Sequence, residues 1–211
     1  MRFQGTLREK AKGIGVELSE EVLQQAETYY RLLIQWNRKI NLTSLRKLEE
    51  VIIYHFVESF FAALHMTDSP SLWADVGSGA GFPALPIKML RRRLKLYLIE
   101  PHQKKVHFLK EVVRRLGLPE VWAMAMTLQE FQRCLPYPER FRYITSRAWG
   151  ALPQLIGFCR QSLEPEGRML LFVGEKGCHE LTRLEMEGLM VERRTSLPTR
   201  EMGFLVEIRR G

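Results

Sequence analysis

The sequence predicts an α/β fold, a sheet with helices on both faces preceded by a helical N-terminal cap. Three observations predict it. Beyond residue 71, short β-type runs alternate with helical stretches, the rhythm of a parallel sheet with crossover helices. The first of these runs leads into WADVGSGAGFPALPIKML, residues 73–90, where a glycine turn joins a strand to a helix. Residues 1–70 carry only helical periodicity. The expected division is a cap over 1–70 and a core over 71–211, packed as one compact unit.

In the cap, Val22, Leu23, Ala26, Tyr29, Tyr30, Leu33, Trp36 and Ile40 form a helical stripe over 20–40. Ser19 is the expected N-cap, and Glu20 and Glu21 suit the first turn. A second helix is expected over 47–66, ended by TDSPS at 67–71. In the core, strands are expected near 72–76, 95–99, 120–125, 141–146 and 168–173, and helices near 83–91, 102–116, 151–162 and 178–187. The helix over 102–116 has Pro101 at its entry and Gly117 past its end, with Val106, Leu109, Val113 and Leu116 on one face. Residues 188–210 read as a strand pair with a turn around Pro198 to Gly203.

The 211 residues suffice for one good-sized domain with a small appendage, and 45% hydrophobic with 27% charged residues is globular composition. No run is apolar enough to span a bilayer, and MRFQGTLREKAKG lacks the apolar core of a signal peptide, so a cytoplasmic location is expected. Cys134, Cys159 and Cys178 are far apart with no CxxC, so neither a disulfide framework nor a metal site is expected. A net charge of +8 favours a polyphosphate partner. The charge is knotted at Arg91-Arg92-Arg93, Lys104-Lys105, Arg114-Arg115 and Arg193-Arg194, and part of it serves helix C-termini.

The glycine turn has a chemical reading. A strand ending in Asp75, then GSGAG, then a helix brings backbone close to a ligand at the carboxyl edge of a sheet. About 20 residues on, the second strand, LYLIE, ends in Glu100, placed to accept the hydroxyl hydrogens of a ribose. The dinucleotide pattern G-x-G-x-x-G fails, because its third glycine falls on Phe82. That counts against a nicotinamide-dependent oxidoreductase, and the intact Asp75, Gly77, Gly79, Gly81 and Glu100 count against a merely RNA-binding relic. The pattern D-x-G-x-G-x-G resembles the first motif of class I S-adenosylmethionine-dependent methyltransferases, which have a Rossmann-like sheet. In that reading Asp75 helps to hold the ammonium group of the cofactor.

A closer resemblance covers about Trp36 to Gly177. DVGSGAGFPALPIKM, WNRKINLTSLR (36–46), YHFVESF (54–60), EPHQKKVHFLKEV (100–112), SRAWGAL (146–152) and GEKG (174–177) occur in the order seen in the small-subunit ribosomal RNA methyltransferase G family, also called glucose-inhibited division protein B. The resemblance implies transfer of a methyl group from S-adenosyl-L-methionine to N7 of one guanine in 16S ribosomal RNA. The implied partner is small-subunit ribosomal RNA or a ribosomal particle; from the residues themselves no metal, no membrane and a monomer are expected. Asp75, Gly77, Ser78, Gly79, Gly81, Phe82, Glu100, Leu128, Gln129 and Arg147 are the implied cofactor contacts. Arg46, His55, Arg147 and Lys176 are the implied substrate-positioning residues. The chain departs from the family pattern at four positions: Thr127 and Gln129, in Thr127-Leu128-Gln129-Glu130 where R-x-E-E is frequent, Glu58, which replaces an Asp, and Ala84, which replaces a glycine.

Guanine N7 carries a free lone pair at neutral pH, so methylation there needs positioning rather than a general base. Arginine suits guanine O6 and phosphates alike. For Arg147 the plain alternative is a buried salt bridge, and for His55 a satisfied core histidine. N7 faces the deep, narrow groove of A-form RNA, so the target must sit in a loop or leave its stack. A methyltransferase acting on another RNA, a protein or a small molecule is the alternative reading.

Overall fold

The structure, a computed structural model, describes residues 2–135, 140–147, 150–184, 186–199 and 202–211. Seven strands form one sheet: β1 Leu72–Val76, β2 Lys95–Ile99, β3 Val121–Met124, β4 Phe141–Arg147, β5 Leu163–Gly174, β6 Leu189–Ser196 and β7 Gly203–Arg210. Their order is β3-β2-β1-β4-β5-β7-β6. The first five are parallel, and β7 and β6 close the sheet as an antiparallel pair. Strand order reverses between β1 and β4, which opens a crevice at the carboxyl edge of the sheet. Val76, Ile99, Arg147 and Gly174, the last residues of β1, β2, β4 and β5, lie along that edge.

The helices are α1 Arg2–Gly13, α2 Glu20–Asn37, α3 Leu48–Val51, α4 Glu58–Ala63, α5 Ala84–Leu90, α6 Gln103–Leu116, α7 Leu128–Cys134, α8 Leu152–Ser162 and α9 Glu175–Arg183. A π-helical stretch, Ile52–Val57, joins α3 to α4. Ser19 caps α2 as expected, its hydroxyl accepting from the Val22 amide. Gly117 ends α6 in the left-handed conformation.

Alternation along the strands feeds two cores. Trp73 of β1 and Leu96 and Leu98 of β2 join the cap, α5 and α6 in one cluster. Ala74 and Val76 of β1 join α7, α8 and α9 on the opposite face. The sheet is therefore covered on both faces, which is why β1 from Trp73 onward is buried throughout.

Two helices were not read from the sequence as separate elements. In α1, Phe3, Leu7 and Ala11 recur every fourth residue and are buried. Ahead of α7, the Thr127 hydroxyl accepts from the Glu130 amide, and the Glu130 carboxylate accepts from the Thr127 amide. That reciprocal cap was legible as T-x-x-E. The basic knots also have local uses. Arg91 donates to the carbonyls of Ala63 and Met66 at the end of α4, and Arg114 and Arg115 pair with Glu111.

Candidate functional site

The site is built around the loop that leaves β1. Gly77, Gly79 and Gly81 have φ of 71°, 56° and 87°, left-handed conformations that L side chains resist. The amides of Gly77 and Ser78 donate to the Ile99 carbonyl at 2.9 and 3.1 Å, which laces the loop to the end of β2. The Ser78 hydroxyl donates back to the Asp75 carbonyl at 3.0 Å. Two of the glycines serve different neighbours. A Cβ at Gly81 would lie 2.6 Å from the Tyr29 hydroxyl and 2.7 Å from Leu85. A Cβ at Gly79 would meet only the Gly77 carbonyl, at 3.8 Å. Gly81 is closed against the cap, and Gly79 borders open space.

Asp75 and Glu100 flank the loop. Asp75 is 1% exposed. Its Oδ1 accepts from the Thr145 hydroxyl at 2.6 Å, and Thr145 in turn accepts from the Trp73 indole at 2.9 Å. Its Oδ2 is buried with no hydrogen-bond partner among the described residues. Burial pushes the Asp75 carboxyl up to about 6, the Glu100 charge adds to this, and the Thr145 hydrogen bond opposes it. A buried carboxylate with one unsatisfied oxygen is a seat for a cation carrying N–H donors. Glu100 is buried as well, and its Oε2 accepts from the Gly79 amide at 2.9 Å. Its Oε1 accepts from the His102 amide at 3.0 Å and lies 2.7 Å from His102 Nδ1. Glu100 therefore ties the loop to the start of α6, and its Oε2 retains a lone pair for a hydroxyl donor.

The cap supports the loop from behind. The Tyr29 hydroxyl donates to the Ala80 carbonyl. The Phe82 ring stacks with Tyr29 at 4.9 Å and with His55 at 4.3 Å. Phe82, expected as a cofactor contact, thus has its ring in the cap core, because cap aromatics take up its faces. His55 lies in the π-helical stretch, with Nε2 2.8 Å from the Thr43 hydroxyl. It supports the loop at second hand. Thr43 and Asn37 shape the turn after α2: Asn37 accepts from the amides of Leu42 and Thr43 and donates to the Thr43 carbonyl.

On the other side of the crevice, Arg147 ends β4. Its guanidinium forms a salt bridge with the fully buried Glu58 of α4 and lies 4.9 Å from the centre of the Phe172 ring. Thr199 donates to the other oxygen of Glu58 at 2.6 Å. Both the edge position and the buried salt bridge foreseen for Arg147 are present. Arg147 also borders a cavity of about 380 Å³ with Phe172, Gly174, Gly177 and Glu180. Lys176 is exposed on α9, and it is its neighbour Gly177 that lines the cavity.

The remaining expected residues lie apart. Arg46 borders a second cavity of about 490 Å³ with Arg38 and Asn41, on the cap. The Leu128 side chain is buried in the second core, which leaves only its backbone for a ligand. Gln129 is exposed and donates to Gln154 at 3.0 Å. Thr127, noted as a departure from R-x-E-E, is the cap of α7. Tyr29, Thr145 and Glu180 carried no signal beyond strand or helix periodicity. Among the described residues no helix is long and apolar enough to cross a membrane, and no group of three or more His, Cys, Asp or Glu could hold a metal ion.

The fold matches solved methyltransferases. A ribosomal protein L11 methylase from Lactobacillus delbrueckii subsp. bulgaricus superposes with a TM-score of 0.62 at 13% identity, covering 79% of this chain and 80% of that one. A SAM-dependent methyltransferase from Aquifex aeolicus gives 0.61 at 17% identity, over 75% and 92%. In sequence, the Ribosomal RNA small subunit methyltransferase G of Desulforamulus reducens is 34% identical over 174 residues, 82% of this chain and 71% of that protein. The protein of the same name from Lachnoclostridium phytofermentans is 32% identical over 209 residues, 96% of this chain and 86% of that protein. The family model described as rRNA small subunit methyltransferase G matches residues 22–200. With a class I methyltransferase sheet, the glycine loop at its carboxyl edge and this match along most of its length, the chain belongs to the rRNA small subunit methyltransferase G family.

Proposed function

We propose that this protein transfers the methyl group of S-adenosyl-L-methionine to N7 of a guanine in small-subunit ribosomal RNA. The observation that carries the cofactor half is the unsatisfied buried oxygen of Asp75 at the end of β1, followed by a glycine loop that is open at Gly79. Family membership carries the substrate half. The chemistry the cofactor supplies when bound is an electrophilic methyl on a sulfonium.

The residues of the chain do the positioning. Asp75 holds the ammonium group, Gly77, Ser78, Gly79 and Gly81 bring the backbone close, and Glu100 accepts from the ribose hydroxyls. The backbone at Leu128 and Gln129 borders the adenine. Arg147, fixed by Glu58, lies between the cofactor and the substrate side. Guanine N7 attacks with its own lone pair. A carbon–nitrogen bond forms as the carbon–sulfur bond breaks with its electrons left on sulfur. Positive charge passes to the purine, and no proton moves. No residue need act as a base, in keeping with a site that offers carboxylates and arginines but no activated nucleophile.

The RNA is gripped by the cap and core together, residues 1–70 and 71–211 acting as one unit. Arg38 and Arg46, at the rim of one cavity, are suited to phosphates, and Lys176 to the strand near the target. The enzyme is proposed to act as a monomer in the cytoplasm, on ribosomal RNA or a ribosomal particle.

The test uses methyl-labelled S-adenosylmethionine, the protein, and small ribosomal subunits from a strain lacking the enzyme, followed by chemical cleavage at N7-methylguanine. One discrete break is expected. An absence of label in the RNA with cofactor binding intact would move the substrate to another RNA, a protein or a small molecule.

A further inference from the structure

The cavity at the ends of β4 and β5 has a feature that N7 methylation does not itself require. Its described lining is mostly apolar or glycine, with Phe172 in its wall and Gly174, Gly177 and Gly203 leaving flat backbone. Among the described lining residues Glu180 is the acidic one. Its position follows from packing. A Cβ at Gly177 would lie 2.9 Å from the Cβ of Val173, so the start of α9 lies hard against the end of β5. Glu180 is three residues on, on the same face of the helix. Its carboxylate has no hydrogen-bond or ion-pair partner among the described residues.

We propose that this cavity seats the target base and that Glu180 reads it as guanine, accepting from N1–H and from the exocyclic amino group. The inference rests on the function proposed above. Guanine is the base whose pairing edge presents two neighbouring N–H donors, and a carboxylate offers two oxygens at a matching separation. A base taken out of its stack is read on that edge. The cavity of about 380 Å³ is of a size that holds a small ligand, and Arg147, the last residue of β4 at the carboxyl edge of the sheet, lines it. The carboxylate also suits a purine that gains positive charge on methylation. Glu180 is thus a specificity residue, separate from the groups that hold the cofactor.

The experiment compares small subunits that carry guanosine or inosine at the methylated position. Inosine keeps N1–H and N7 but lacks the amino group. Wild type is expected to prefer guanosine by about tenfold in kcat/KM. Glu180→Ala should lose about tenfold or more on guanosine and bring the ratio close to one, with cofactor affinity unchanged. Glu180→Gln, isosteric at an exposed position beside the cavity, should fall between them, which guards against a folding defect. A Glu180→Ala enzyme that keeps the wild-type ratio, or a wild type without preference, overturns the assignment while leaving the proposed function standing. A wild type that places no methyl on guanine N7 overturns both.

Discussion

The hydroxyl of Tyr29, on the second helix of the cap, donates to the carbonyl of Ala80 in the middle of the glycine loop. The same ring stacks on Phe82, and the hydroxyl occupies the place that a Cβ on Gly81 would need. The loop proposed to hold the cofactor is shaped by the cap as much as by the strand it leaves.

Tyr29→Phe removes that donor and leaves the Ala80 carbonyl without it. The expected cost is about 1–2 kcal/mol of folding stability, read by urea unfolding, because the group is buried. Cofactor affinity should weaken several-fold in calorimetric titration as the loop loosens. Unchanged affinity would mean that the loop holds its shape without the cap.

The two glycines should fail differently. Gly79→Val meets open space but strains the backbone at φ 56°, so the fold should survive with about 1–2 kcal/mol of stability lost while cofactor binding is abolished. Gly81→Ala, at φ 87°, forces a methyl to within 2.6 Å of the Tyr29 hydroxyl. It should cost about 2–4 kcal/mol of stability. Circular dichroism melts and titrations on both proteins separate the effects.

Asp75 sets a pH dependence with two opposite signs. Its carboxyl is raised by burial from 3.8 to about 6 in the folded protein. Its contribution to stability is therefore full below 3.8 and lost as pH rises through about 6. An ammonium ligand needs the carboxylate, so cofactor affinity should instead fall as pH falls through that value. From pH 7 to 5 the ionised fraction drops about tenfold, and affinity should drop with it. Asp75→Asn should bind weakly with no such slope, and a slope that persisted there would assign the titration to another group.

Glu58→Gln should leave Arg147 without its buried counter-charge. The expected loss is about 3 kcal/mol, visible as a lowered denaturation midpoint. The amide can still bond the Thr199 hydroxyl, so the loss falls on the pair with Arg147. A midpoint within about 0.5 kcal/mol of wild type would show that the pair is replaceable.

Arg46→Ala should spare cofactor binding and slow methylation, with the effect largest at subsaturating RNA and reduced in high salt. If cofactor binding were lost instead, the cap cavity would belong to the cofactor site.

What the sequence by itself determined is what depends on neighbours in the chain. The strand–turn–helix at Asp75 to Leu85, the caps at Ser19 and Gly117, and the helical stripe from Val22 to Leu33 each follow from spacing and residue type. So does β1, because burial on both faces favours a mostly apolar run. The cap of α7 was equally local, but Thr127 was weighed against a family pattern instead of against T-x-x-E. The tertiary structure alone decided which distant side chains meet. Tyr29 reaches Ala80, Glu58 reaches Arg147 and Thr199, and Thr145 reaches Asp75 across 51, 89, 141 and 70 residues of chain. It also decided that the Phe82 ring packs into the cap and that Gly177 rather than Lys176 lines the cavity. The physical reason is that periodicity records which side of an element is apolar. Which polar atom finds which partner is set only when the elements pack and most buried donors and acceptors are matched, with Asp75 Oδ2 left over.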